Sequence, residues 1–187
     1  MKKIIVLQAL KEEEAVLPQI EGYEIERIYT GCGKVPAALE LLRGITKQRP
    51  DVVINIGTVG TREYHVGDIV ICDKFVDRDL NPLCIYGIVS RVSADTKHPI
   101  IEKISSGNPI GTCSTGDSFV TSVLKDGDVC DMEAFAQALV CQQEKIPFVA
   151  IKYVTDIVGQ NSVAAWEEKL TEARIGLSKF LEKTFNY

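Results

Sequence analysis

Hydrophobic positions along the chain fall into short β-branched runs separated by longer stretches with helical spacing. The run IIVLQAL over 4–10 predicts a first strand, and KEEEAVL after it predicts a short helix that Pro18 helps to end. YEIERIYTG over 23–31 predicts a second strand, followed by a helix from about Pro36 to Gln48. DVVINIG over 51–57 is apolar almost throughout, as expected of a central strand covered on both faces, and GDIVICDKFV over 67–76 predicts another strand. From Asp77 to Asn108 the periodicity fades among prolines, serines and glycines, which predicts loops and short strands. A strand follows near 110–114. CDMEAFAQALVC, Cys130 to Cys141, sets Met132, Phe135, Ala136, Leu139 and Val140 at i, i+3, i+4, i+7 and i+8, the buried stripe of an amphipathic helix, with Asp131 as its cap. PFVAIKYVT over 147–155 predicts a strand, and residues 162–184 a last helix. This alternation, without repeat or linker, predicts one α/β/α layered domain over 1–187, with ligands gathered where strands end.

Composition narrows the function classes. With 187 residues, 45% hydrophobic and 25% charged, the chain has the make-up of a globular protein with a substantial core. The net charge of −5, from 26 acids against 21 bases, lacks the basic patch that nucleic acid or an anionic membrane surface requires. The opening MKKIIVLQAL imitates a signal peptide, but the apolar run stops in KEEE with no cleavage site after it. No segment approaches the ~20 apolar residues of a membrane helix, and the cytoplasm is the expected location. Six scattered cysteines and two separated histidines predict reduced, buried thiols and no metal site.

Five short motifs sit where predicted strands end. In ALKEEE, 9–14, three carboxylates suit a solvated first turn, yet one glutamate could face inward as a general base. TGCGKV, 30–35, matches neither a P-loop nor a full dinucleotide fingerprint and can be a tight turn. NIGTVG, 55–60, offers close backbone approach and the Thr58 hydroxyl. STGDSF, 114–119, brings a carboxylate near an aromatic ring, and VTDIVG, 154–159, ends an apolar strand in an aspartate. Each alone reads as a turn or cap, but five at successive strand ends point to a site.

Taken in order, AxxxE (Ala9 to Glu13), TGCGKVPAAL, PDVVINIGTVG, VGDIVI, STGDSF, CDMEAFA and PFVAIKYVTD resemble the motifs of the purine nucleoside phosphorylase/nucleosidase superfamily. Within it the chain is most similar to the 5′-methylthioadenosine/S-adenosylhomocysteine nucleosidases. The resemblance covers nearly all of the chain except about 77–109 and the final helix. It implies a three-layer α/β/α sandwich around a mixed, partly barrel-like sheet, a homodimer, a purine nucleoside as small-molecule ligand, no cofactor, and a place in methionine salvage. It implies too that Glu13 activates the attacking water and that Asp156 shares a hydrogen with N7 of the purine. By the same resemblance Glu133 accepts from the ribose hydroxyls and Met132 packs on the sugar. Phe119 would stack on the base, Val120 would present backbone groups to its edge, and Thr58 would lie beside the water.

The chemistry needs such a set, because cleaving an N-glycosidic bond requires a proton for the leaving base and a nucleophile on the opposite face of the sugar. A phosphorylase on the same scaffold is the nearest alternative. It would need arginines to hold phosphate, and the chain instead has Asn55 before the NIGTVG hydroxyl and Lys11 amid glutamates after the first strand. Water is therefore the expected nucleophile. The chain is also short between Asp77 and Pro109, and Thr58 and Val59 are bulkier than usual, which leaves the 5′-group open. A nucleoside-binding protein without turnover, and an unrelated Rossmann-like protein, stand as the remaining alternatives.

Overall fold

The computed structural model describes residues 1–121, 124, 126–160 and 162–186. β1 (Lys2–Gln8) pairs in parallel with β2 (Tyr23–Tyr29) on one side and with the start of β3 (Val52–Thr61) on the other. β3 runs parallel to β8 (Phe148–Ile157), which lies antiparallel to β4 (Ile69–Asp77). β4 continues in parallel to β6 (Ile110–Thr115), and β6 to β7 (Val129–Asp131). β7 then returns to β3, pairing Gly60 with Cys130 and Thr61 with Val129. The strands β3, β8, β4, β6 and β7 thus close a ring, while β1, β2 and the short β5 (Arg91–Ser93) extend the sheet outside it.

Both faces of the central strands are covered, which explains why they read as unbroken apolar runs rather than alternating ones. On one face Ile5, Leu7, Val53, Phe148 and Ala150 pack with Leu41 and Ile45 of α1 (Lys34–Lys47) and with Phe135, Ala138 and Cys141 of α3 (Ala134–Glu144). On the other, Ile4, Val6, Ile54, Ile56, Val149 and Ile151 meet Ile100, Ile101 and Ile104 of α2 (Pro99–Ser105) and Ala173, Leu177 and Leu181 of α4 (Ser162–Phe185). The architecture is a three-layer α/β/α sandwich around a mixed, partly barrel-like sheet.

Three local expectations are corrected. The helix expected from KEEEAVL is a single 3-10 turn, Lys11–Glu13, after which the chain is extended. Ala15 and Leu17 then alternate toward the core while Val16 points out and donates its N–H to Ser178 Oγ at 2.8 Å, so tertiary contacts override the helix-forming glutamates. The helix expected from Cys130 begins only at Ala134, because Val129, Cys130 and Asp131 form β7 and seal the ring. Leu139 and Val140 are half-buried, and Ala134, Ala138 and Cys141 carry the contact instead. Finally, α2 lies inside the stretch expected to be loops and short strands. His98 caps it by accepting from Ile100 N at 3.3 Å, and Pro99 opens it, a pairing of start signals visible in HPIIEKI.

Candidate active site

The ends of β1, β3, β6, β7 and β8 converge on one cavity enclosing about 740 Å³ of empty space, its open mouth included. Glu13, Thr58, Phe119, Val120, Met132, Glu133 and Asp156 all line it, so the seven residues singled out from the sequence are brought together. The 3-10 turn after β1 buries Glu13 while Glu12 and Glu14 stay exposed. Gln8 Nε2 holds the Glu13 carbonyl at 2.8 Å, which anchors the turn to the strand.

Glu13 Oε1 accepts two bonds from Thr58, from Oγ1 at 2.5 Å and from N at 3.3 Å. Burial pushes the Glu13 carboxyl above its ordinary pKa, and the Thr58 donors and the Lys152 ammonium pull the other way. Near the end of β8 Asp156 follows Thr155, whose hydroxyl lies 2.9 Å from Asp156 Oδ1. A Cβ on Gly60 would stand 2.8 Å from Asp156 Oδ2 and 3.3 Å from Cys130 Sγ. Only glycine lets β3 carry the aspartate this close, and the sheet register shifts at the same point, between Val59 and Gly60.

Glu133 stands at the N-cap position of α3 but does not cap that helix. Its Oε1 instead accepts from Gly33 N, at the start of α1, at 2.9 Å. Burial and then the neighbouring Asp131 charge raise its pKa to about 7, against the Lys152 charge and the Gly33 N–H. The capping role expected of Asp131 exists, since its Oδ2 accepts from Ala134 N at 3.0 Å, but it is secondary. The same oxygen is 2.8 Å from Lys152 Nζ, and Oδ1 accepts from Thr115 Oγ1 at 2.6 Å. Burial disfavours both charges of the pair, and their mutual attraction outweighs it: Asp131 is held below and Lys152 above its ordinary range.

Three pocket residues were given no role from the sequence. Lys152 interrupts the apolar strand PFVAIKYVT, and a lysine in the middle of a doubly covered strand is a signal that a buried carboxylate waits for it. Trp166 on α4 donates its indole N–H to Thr58 Oγ1 at 2.9 Å and lies edge-on to Phe119, ring centroids 6.2 Å apart at 69°. Arg78, in the turn VDRD, gives one terminal nitrogen to the carbonyls of Ser114 and Asp131, both at 2.8 Å. The other goes to the carbonyl of Gly116 at 3.0 Å and to that of Ser118. Asp79 joins the same brace, bonding Lys34 Nζ at 2.8 Å and accepting from Asp117 N at 3.0 Å. Cys130, which also lines the cavity, has its thiol pKa pushed up to about 12 by burial and stays protonated. Among the described residues no group of His, Cys, Asp and Glu is arranged to hold a metal ion, and no helix is long and apolar enough to cross a membrane.

A ringed sheet within an α/β/α sandwich, with buried carboxylates lining a largely apolar cavity at its strand ends, is the frame of a small-molecule site. The chain belongs to the phosphorylase superfamily, whose family profile matches residues 8–186. It is 33% identical over 179 residues to a 5′-methylthioadenosine/S-adenosylhomocysteine nucleosidase of Bacillus velezensis, covering 83% of this chain and 78% of that one. It is 31% identical over 196 residues to the enzyme of the same name from Staphylococcus aureus, covering 92% and 82%. Among solved structures, it superposes with a TM-score of 0.83 on the 5′-methylthioadenosine/S-adenosylhomocysteine nucleosidase of Neisseria meningitidis in complex with methylthio-immucillin-A. That pair is 24% identical over 98% of both chains, a likeness of fold.

Proposed function

We propose that this protein is an N-ribosyl hydrolase acting on an adenosine-type nucleoside with a substituted 5′ position, such as methylthioadenosine or adenosylhomocysteine, and releasing adenine and the ribose moiety. The observation that carries this reading is the corner where Glu13 meets Thr58. A buried carboxylate whose Oε1 is held by two donors has its other oxygen left for a water molecule. The relatives that are 33% and 31% identical bear the name of this activity.

In the proposed reaction the water oxygen bonds to C1′ as the C1′–N9 bond breaks, its electron pair passing to the purine. Glu13 takes the proton lost by water, and Asp156 supplies one to N7, so that water is added across the bond. Glu133, accepting from the ribose hydroxyls, and Met132, packed on the sugar, would hold the ring. Phe119 would stack on the base while the Val120 backbone meets its edge. General acid–base help of this kind accounts for ~10²–10⁴-fold, and the carboxylates around the oxocarbenium-like centre add electrostatic stabilisation.

The phosphorolytic alternative is disfavoured by the same pocket. Arg78, the guanidinium that lines it, has both terminal nitrogens committed to backbone carbonyls. The Glu13 carboxylate would repel a phosphate from the Thr58 corner. The discriminating experiment is release of free base from methylthioadenosine, adenosylhomocysteine, adenosine and inosine, with and without phosphate. Release is expected to be indifferent to phosphate, and a strict requirement for phosphate would overturn the hydrolase reading. Asp156→Asn is expected to lower kcat by at least ~10²-fold while leaving substrate binding within a few-fold. An unchanged rate would remove Asp156 from the acid role.

The same proposal extends to the assembly, a cytoplasmic homodimer of single-domain chains serving methionine salvage. The support for a dimer is exposed apolar surface. Ile85 and Tyr86, in the turn at 81–86, are 79% and 75% exposed. Val35, Leu39 and Leu42 form an exposed stripe on α1 at helical spacing.

A further inference from the structure

Trp166 belongs to none of the motifs that follow the strands, yet its side chain reaches the nucleophile corner. It projects from α4 in the outer layer, and its one polar atom is spent on the Thr58 hydroxyl. An indole N–H can only donate, so Thr58 Oγ1 must accept it. The hydroxyl has a single proton of its own, and Glu13 Oε1 lies 2.5 Å away, a separation typical of a hydroxyl donating to a carboxylate. The three groups therefore form a directed chain, indole to hydroxyl to carboxylate.

We infer that Trp166 is a positioning residue for Glu13, its indole N–H fixing the Thr58 hydroxyl so that the hydroxyl's proton is given to Glu13 Oε1 and the other carboxylate oxygen is turned to the water. The inference rests on the reading of Glu13 as the water-activating base. Without the indole, the hydroxyl is free to rotate and to exchange its partner for the water itself, which loosens the aim of the carboxylate. The other groups that face Glu13 are Lys152 from β8, Glu133 at the start of α3, Cys32 in the loop before α1 and the Leu10 N–H of its own turn. Of these, Lys152 and the Leu10 N–H favour the ionised form, as the Thr58 hydroxyl does. The same indole also lies edge-on to Phe119, so the seating of α4 bears on that ring as well as on Thr58.

Trp166→Phe keeps an aromatic ring and removes the N–H. It is expected to lower kcat about tenfold with KM within about twofold, and to move the acid limb of the kcat profile, measured with Glu133 held ionised by bound substrate, to higher pH, as the Thr58 hydroxyl is freed from Glu13. An unchanged kcat and acid limb would overturn the proposal, and so would a raised KM alone, which marks mere packing. In a double-mutant cycle, Trp166→Phe added to Thr58→Val is expected to cost nothing further, whereas additive losses would sink the relay. Glu13→Gln separates the two readings. If it turns over normally, the role of Glu13 fails; if it is inactive while Trp166→Phe is unaffected, only the Trp166 proposal fails. Should Trp166→Phe not fold, the unmodified protein still answers, because its one tryptophan is its own reporter. Its emission is expected to shift across the acid limb and to lose that shift in Glu13→Gln, and flat emission there would overturn the relay.

Discussion

Glu133 shows how much a residue's setting decides what it can do. Two charges of its own sign lie nearby in Asp131 and Glu13, burial removes its water, and its pKa rises to about 7. Ribose hydroxyls need an ionised acceptor, so kcat/KM is expected to be level above about pH 7 and to fall as pH drops below it; a limb centred near the ordinary carboxylate range would refute this. The same shift has a stability cost. A carboxyl whose folded pKa is raised takes up protons on folding between its ordinary value of 4.5 and about 7, so stability falls as pH rises through that window. Glu133→Gln should therefore raise stability at pH 8 by on the order of 2 kcal/mol, a melting temperature higher by several degrees. Thermal melts at pH 8 and pH 5 check it, since the gain should shrink at the lower pH. The identity of such residues was legible in CDMEAFA, but their environment was not. The Gly33 N–H that Glu133 accepts from lies on a different helix, a long way off in the sequence.

At the scale of elements, the strands were legible because both faces of the sheet are covered and their residues are uniformly apolar. Less so were elements whose reason lies elsewhere in the fold. β7 exists because it closes the ring, and nothing within Val129–Asp131 marks it as a strand. α2 carried readable signals in His98, Pro99 and its isoleucines, which the surrounding prolines and glycines obscured. The turn VDRD is the clearest case of an element whose work shows only in three dimensions. Arg78 ties together the end of β6, the loop after it and the end of β7, and that loop carries Phe119 and Val120. Arg78→Ala is expected to raise KM by about tenfold or more with a smaller change in kcat, because the loop proposed to bind the base loses its brace while the Glu13–Thr58 corner keeps its own. Arg78→Lys should rescue little, as one ammonium cannot span four carbonyls. Steady-state kinetics on the two variants decide the matter, and an unaltered KM would contradict the assignment.

For the whole molecule, the layered fold and the gathering of the site at strand ends were both anticipated from alternation alone. The apolar surface was not, since a run such as LCIYGIV reads equally well as a buried strand and is instead a turn with its side chains outward. If the proposed dimer covers it, Ile85→Glu should shift the protein toward monomer in sedimentation or size-exclusion measurements. A dimer of undiminished stability would place the interface elsewhere.

The ring of strands has a further consequence, in time rather than in space. Its seal is the antiparallel meeting of Gly60 and Thr61 with Cys130 and Val129, partners far apart along the chain and so of the non-local kind that slows folding. Glu133 follows directly on that seal, and Asp156 presses against Gly60 within it. Glu133 and Asp156 thus take their places beside a contact between distant parts of the chain, and the site depends on that contact being made. A chain that has not yet closed the ring is therefore expected to lack the site even where its helices and outer strands are formed.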